Sequence, residues 1–439
     1  MIGLQESVRA ESPVFCRGRC RNDAVSSYTI NGRMVRFLTA GESHGRALVV
    51  ILEGIPAGLP IDQDSETRDL KRRQGGYGRG RRMAIESDRA EIVSGVRHGQ
   101  TIGGPIAMLI ENRDWVNWQR TMYTGPEPAS DATGANRAPV TRPRPGHADL
   151  AGIAKYARED VRDILERASA RETAARVAAG AIARQLLAAT GVRITSHVFS
   201  IGGVHLPGGR AVSFDQAAAL PDDSPFRCVD EETTGRMIAD VDAAKAAGDT
   251  KGGGFEVIAT GVPIGLGSYV QWDRKLDGRL AHALMSIPAI KAVGIGLGPE
   301  AAARPGSRVH DEIVLGDGDG PLPFARPTNN AGGLEGGVTN GEDLRVSAWM
   351  KPIATLMKPL RSVDLNTMTE SGAAIERSDV CAVPAAAVVG EAMVALTLAD
   401  ALVEKFGGDS LAELTRAVDA WKTEVAERLS AKKAKAVEA

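Results

Sequence analysis

The stretch from Cys381 to Leu402 limits the architecture more than any other segment. It is apolar and alanine-rich and long enough to imitate a membrane span, yet it carries Pro384, Glu391 and Asp400. A spanning helix needs about 20 apolar residues, and charge at its centre is costly in hydrocarbon. The segment therefore predicts a helix buried in protein, and Glu391–Phe406 is read as helical, stopped by Gly407-Gly408. The 439 residues are 43% apolar and 25% charged, enough to close a core around such a helix. No membrane partner is expected.

Residues 34 to 111 read instead as short strands broken by turns. Val35–Thr39, Ala47–Glu53, Glu91–Val96 and Ile106–Glu111 are the candidates, punctuated by Gly41, Gly54-Ile55-Pro56 and Gly103-Gly104-Pro105. A polar, Pro/Gly-rich loop with Trp115 and Trp118 covers 112–148, and loops of that length inside domains are often functional. A helical stretch follows from Asp149 to Thr190, with a break expected near Ser169 and Gly191 as its stop. Val192–Phe199 and Phe255–Val262 return to strand patterning, and Leu280–Ile287 is helical. Strands and helices in separate runs make the fold class α+β.

No linker-like shift in composition interrupts residues 34–410, so they are expected to form a single catalytic domain. Residues 1–33 lack periodicity and an apolar signal core, and read as an extension upstream of a start near Met34. An Arg-containing transit peptide is the rival, opposed by Glu6, Glu11 and Asp23. Residues 411–439 read as a charged amphipathic helix forming a solvated tail. Cys16, Cys20, Cys228 and Cys381 have neither disulfide-framework nor zinc spacing, so no metal and a cytoplasmic location are expected.

Net charge is −2 and aromatics are 4%, which disfavours nucleic acid as a partner. Any anion site must be built locally. Arg68 to Arg82 places seven basic side chains among fifteen, with Gly75, Gly76, Gly78 and Gly80 around Tyr77. That composition predicts a flexible arm able to close on phosphate or carboxylate. Arg142-Pro143-Arg144-Pro145-Gly146-His147 is a second cluster, stiffened by proline, with His147 a candidate general acid. In the third, Arg167 and Arg171 share a face if the helix is continuous there. Asp379 beside Arg377 is either a structural ion pair or a poised carboxylate.

Gly41-Glu42-Ser43-His44-Gly45 fits the G-x-S-x-G spacing of a hydrolase nucleophile elbow. The elbow requires a following helix, whereas Ala47–Leu52 is β-branched and apolar and reads as a strand. No G-x-x-x-x-G-K-[ST] is present, and Gly294-Ile295-Gly296-Leu297-Gly298 runs into Pro299 without a third spaced glycine.

Taken together the motifs resemble the chorismate synthase family. The matching pieces are Thr39–Gly45, Arg72–Gly80, Arg142–Asp149, Ala168–Ala174, Asn330–Gly337, Met350-Lys351-Pro352 and Glu376–Cys381, in the family's order. The resemblance implies a sandwich of helices packed between antiparallel sheets and a homotetramer. It also implies a carbon–oxygen lyase of the shikimate pathway, serving aromatic amino acid biosynthesis. Such enzymes convert 5-enolpyruvylshikimate 3-phosphate to chorismate by anti-1,4-elimination of phosphate, using reduced FMN without net redox change. NADPH would enter only as an external source of reducing equivalents.

Carried over by position, His44 and His147 would be the two acids and Asp379 the carboxylate that takes a proton from flavin N5. Ser43, Arg73, Arg79, Arg82, Arg144, Arg171 and Arg377 would hold the substrate. Arg167, Ala168, Ser169, Ala289, Gly336, Lys351, Pro352, Ile353, Ala354, Thr355 and Arg377 would hold the flavin. The chain departs from the family at Pro288, Ala292, Gly294 and Leu297, where an amide, Gly, Glu and Asp are usual. Two other readings stay open: a serine hydrolase built on Ser43, and a non-catalytic protein that binds an anion or flavin.

Overall fold

The computed structural model describes residues 35–80, 87–208, 211–316, 322–376 and 379–437, the last seven as helical backbone only. The first sheet contains Arg36–Ala40, Ala47–Glu53, Ile106–Glu111 and Ala90–Ser94 in that spatial order, every pair antiparallel. Leu48, Val50 and Leu52 alternate inward beside Ile106, Met108 and Ile110, as a sheet with one buried face requires. The second sheet orders Ile290–Ile295, Leu344–Met350, Gly253–Thr260, Arg193–Ile201 and Val204–His205, again all antiparallel.

Helices fill the space between. Thr173–Ala188 packs on strand Ala47–Glu53 of the first sheet, and Val383–Phe406 packs on Arg193–Ile201 and Gly253–Thr260 of the second. The two helices also pack on each other, so sheets and helices form a β-α-β sandwich. Their crossing is close because Gly180 lies against Ala392: a Cβ added at Gly180 would sit 2.3 Å from that of Ala392. Val383–Phe406 is apolar enough to cross a membrane by length and composition, but its apolar window is 89% buried in protein. That agrees with the reading from Pro384, Glu391 and Asp400.

Several elements differ from the sequence reading. Arg68–Gln74 is not a flexible arm but part of helix Gln63–Gln74, whose N-cap Asp62 accepts from the Asp64 and Ser65 amides. The turn-rich composition beyond Gln74 hid a helix that local capping starts. The stretch from Asp149 breaks at Ser169 as expected and is cut once more before it. Ala157 ends the first helix in a left-handed conformation, and Ser169 turns extended before capping the 3-10 turn Ala170–Glu172. Helix Glu231–Ala247, capped by Asp230 and ended by Gly248, went unread because its exposed face is polar. The helix after Ile264 begins at Leu276 rather than Leu280.

The C-terminal helix Leu411–Val437 is anchored rather than solvated over its first half. Leu414, Val418 and Val425 are buried, Trp421 Nε1 donates to Ile264 O, and Lys422 Nζ donates to Thr190 O.

Candidate active site

The site begins in the turn between the first two strands. Gly41 adopts φ +102°, and a Cβ there would lie 2.4 Å from Ala47 O, so only glycine permits this turn. Strand Ala47–Glu53 follows directly, which removes the strand–turn–helix context of a nucleophile elbow. Ser43 is buried, with Ser169 Oγ donating to its Oγ at 3.2 Å.

His44 turns its Nδ1 towards Glu166. Its Nδ1 lies 2.9 and 3.0 Å from the two Glu166 oxygens, and its backbone N–H donates to Oε2 at 2.8 Å. Burial alone would raise the Glu166 carboxyl, but the His44 hydrogen bonds, helped by Arg162, hold it below its ordinary value. The His44 ring stacks on Trp118 with centroids 3.8 Å apart. Trp118 is fixed by Nε1 donating to Asp114, and Arg137 lies 4.0 Å from its ring centre.

Asn112 joins this turn to the arginines. Its amide N–H₂ donates to Glu42 O and Gly45 O, while its Oδ1 accepts from Arg171 Nε at 2.9 Å. Arg171 Nη1 pairs with Asp88 at 2.6 Å. The same carboxylate lies 3.5 Å from Arg73 Nη1, and Arg73 also donates to Thr173 Oγ1 and Ala170 O. Burial pushes the Arg73 guanidinium down to about 10, with Asp88 opposing. Arg79 Nη1 pairs with Asp379 Oδ2 at 2.8 Å, and Gly80 N donates to Asp379 Oδ1.

A second assembly surrounds His147, whose Nδ1 lies 2.5 Å from buried Asp149. Arg144 donates to Asp149 through its backbone N, Nε and Nη2, and to Thr355 Oγ1 through Nη1. Burial would raise the Asp149 carboxyl, yet His147 and Arg144 hold it far below the usual carboxylate range. Because an ionised carboxylate only accepts, the Nδ1 that faces it in each histidine is the nitrogen placed to donate.

Lys351 Nζ donates to Gly146 O, and Lys351 N donates to Ala289 O, which brings two expected flavin segments together beside the His147 turn. Burial, with Lys291 adding to it, lowers Lys351. Ala289 is held at φ 68°. Pro352, Ile353 and Ala354 continue as irregular backbone to buried Thr355, and Thr250 Oγ1 donates to Ile353 O. Arg167 does not share a face with Arg171: the break at Ser169 sends it outward to Thr39 and Gly41 O, with Ala168 between. Gly336 sits in the separate hairpin Leu334–Thr339, 3.9 Å from Tyr269 by its added Cβ. Arg82 and Arg377 lie outside the described residues.

Sequence reasoning missed Glu166, Asn112, Asp88 and Asp114. Glu166, Asn112 and Asp88 act on partners far along the chain, which no local spacing signals, whereas Asp114 acts on Trp118 four residues on. Asp149 was quoted within a motif but not assigned; its position two residues beyond His147 was the available clue.

Helices between two antiparallel sheets, with two histidine–carboxylate pairs and buried arginines at a helix end and in turns, define an enzyme of the α+β class. A family model described as chorismate synthase matches residues 35–403. The chain is similar to the chorismate synthase of Symbiobacterium thermophilum, at 55% identity over 90% of this chain and 100% of that protein. It is 59% identical to that of Moorella thermoacetica, over 86% of this chain and 96% of the other. A solved structure titled "Crystal Structure of Chorismate Synthase" matches with TM-score 0.71 and 42% identity, over 90% of this chain and 100% of that one. The chain belongs to the chorismate synthase family, lyases of the shikimate pathway that release phosphate to form chorismate.

Proposed function

We propose that this chain performs the family's anti-1,4-elimination on 5-enolpyruvylshikimate 3-phosphate with His44 as the acid at the departing phosphate. His147 is the second acid, beside the flavin, and Asp379 is the carboxylate that takes up a proton. Ser43, Arg73, Arg79, Arg144 and Arg171 hold the substrate's anionic groups, joined by Arg82 and Arg377 from the resemblance. One observation carries this reading: Asn112 ties the His44 turn to Arg171, which shares Asp88 with Arg73. A proton donor and guanidinium groups thus belong to one hydrogen-bonded network. Charge developing on a leaving phosphate is stabilised there without reorganisation.

The residues expected to hold reduced FMN fit such a group. Arg167 and Lys351 supply cations, Ser169 and Thr355 hydroxyls, and the Ala289 and Lys351–Thr355 backbones polar edges. Reduced FMN, when bound, lends electron density to the reacting ring and recovers it, so no net oxidation follows. Around it the chain's residues orient and exclude water, and Asp379, paired with Arg79, holds a proton. A homotetramer in the cytoplasm, with flavin reduced elsewhere at the expense of NADPH, belongs to the same reading.

The test is anaerobic turnover of 5-enolpyruvylshikimate 3-phosphate with added reduced FMN. Chorismate and phosphate are expected in equal amounts, and their absence would overturn the proposal. A serine hydrolase would instead be labelled by a fluorophosphonate and act without flavin. His44 Nδ1 turned to Glu166 rather than to Ser43 speaks against it.

A further inference from the structure

We propose that Asn112 is the positioning residue that fixes the span between the His44 turn and Arg171. One side chain thereby serves both proton delivery and substrate binding. The inference rests on the reading of His44 as the acid and of Arg171 as a substrate cation. Residue 112 reaches the turn at three carbonyls. Its amide N–H₂ donates to Glu42 O at 3.2 Å and Gly45 O at 2.7 Å, and its backbone N to Arg46 O at 3.2 Å. These carbonyls bracket Ser43 and His44. Asn112 is buried and stands at the N-cap of the 3-10 turn Arg113–Asn117, where asparagine ordinarily caps, yet its side chain makes no cap bond. The amide is committed to the site and not to its own helix.

The far end of the same planar group holds the cation. Arg171 Nε donates to Asn112 Oδ1 at 2.9 Å and Nη1 to Asp88 at 2.6 Å, so two anchors fix the guanidinium plane. A second bridge runs from Ser43 Oγ through Ser169 Oγ to Arg171 N, at 3.2 and 3.3 Å. Hydroxyls rotate, whereas a rigid amide cannot yield to one partner without moving on the other. The ring of the acid is held from the same segment: Asp114 accepts from Trp118 Nε1, and Trp118 stacks on His44 at 3.8 Å. A shift at residue 112 therefore displaces the turn, the stacking partner and the guanidinium together. Misplacing a reacting group by about 1 Å can cost roughly 10²-fold in rate.

The experiment uses the full-length enzyme with reduced FMN and places Asn112→Ala in three backgrounds: wild type, His44→Ala and Arg171→Lys. In wild type it should lower kcat roughly tenfold to a hundredfold. It should also raise KM by about threefold to tenfold, the share of one lost charge-assisted contact. In the His44→Ala background the kcat cost should vanish and the KM cost remain; in the Arg171→Lys background the reverse is expected. A merely structural residue would cost the same in all three, and that result overturns the proposal. Hydrogen exchange across residues 41–46 reads the turn without turnover. The Ser43 and His44 amides, bonded to residue 166, should lose roughly tenfold of their protection in Asn112→Ala. Unchanged exchange overturns the proposal whatever the kinetics. If Asn112→Ala does not fold, Asn112→Asp keeps the shape and the Arg171 contact while removing both donors. It should lose kcat likewise, and full kcat there overturns the proposal. Full activity of His44→Ala would instead overturn the reading of His44 as the acid, and an unchanged KM in Arg171→Lys that of Arg171. In either case the exchange result decides what Asn112 does.

Discussion

Arg72 meets Glu391 in a two-pronged ion pair at the centre of the molecule, with Nη1 and Nη2 at 2.8 and 2.7 Å from the two carboxylate oxygens. Arg184 Nη1 and Ser196 Oγ complete the shell, and Arg227 lies 3.5 Å away. Burial would raise the Glu391 carboxyl, but Arg72, Arg184 and Arg227 hold it far below its ordinary 4.5. Glu391→Ala strands those cations and should cost about 3–5 kcal/mol in urea unfolding at neutral pH. A depressed carboxylate contributes stability above its unfolded value and loses it as pH falls. The gap between wild type and variant should therefore shrink below pH ~4.5.

Glu66 behaves in the opposite sense. It is buried, and burial, opposed by Arg89 and reinforced by Asp69, pushes its carboxyl up to about 8. Between 4.5 and about 8 the folded state holds a proton that the unfolded chain has lost, so stability declines as pH rises through that window. Glu66→Gln should be close to neutral at pH ~4.5 and stabilising at pH ~8. Denaturant midpoints at the two pH values check this; equal shifts at both would refute it.

Two helical glycines should respond to alanine with opposite signs. Gly278 has no neighbour nearer than Trp272 O at 4.0 Å, so Gly278→Ala should gain up to about 1 kcal/mol of helix propensity. At Gly180 the added carbon would fall 2.3 Å from Ala392 Cβ and 2.6 Å from its Cα. Backbone cannot yield there as a side-chain tip would, and Gly180→Ala should lose about 1–3 kcal/mol or more. Thermal midpoints of both variants give the signs directly.

On the His147 side, His147→Ala should lower kcat by about 10²–10⁴ while leaving substrate affinity largely intact. Asp149→Asn should reproduce much of that loss, because a neutral amide no longer takes the Nδ1 proton as a carboxylate does. Asp379→Asn should slow the deprotonation step, seen as a larger isotope effect with ring-deuterated substrate. Full activity in all three would remove His147 and Asp379 from the proposed roles.

How much of this was legible depended on distance along the chain. The inward alternation of Leu48, Val50 and Leu52 and the burial of the Glu391 helix follow from patterns within a few residues. Helix Gln63–Gln74 was obscured because Arg68 to Arg82 has the composition of a loop, while Arg72 faces inward to Glu391, 319 residues away. His44 and His147 could be singled out from their glycine- and arginine-rich surroundings. The orientation of His44 could not, since Glu166 reaches it across 122 residues. Asp88 and Asn112 carried no local mark at all, as ordinary polar residues at the ends of strands Ala90–Ser94 and Ile106–Glu111.

Asn112 restricts its own replacement. An amide is a donor at one end and an acceptor at the other, and this one meets two carbonyls and a guanidinium. Turned over, it would set N–H against N–H and oxygen against oxygen. Aspartate would satisfy Arg171 and repel Glu42 O and Gly45 O; leucine would strand all three. A replacement must donate to the two turn carbonyls and accept from the guanidinium at the same reach, so drift at this position demands coordinated change in the turn and at the arginine.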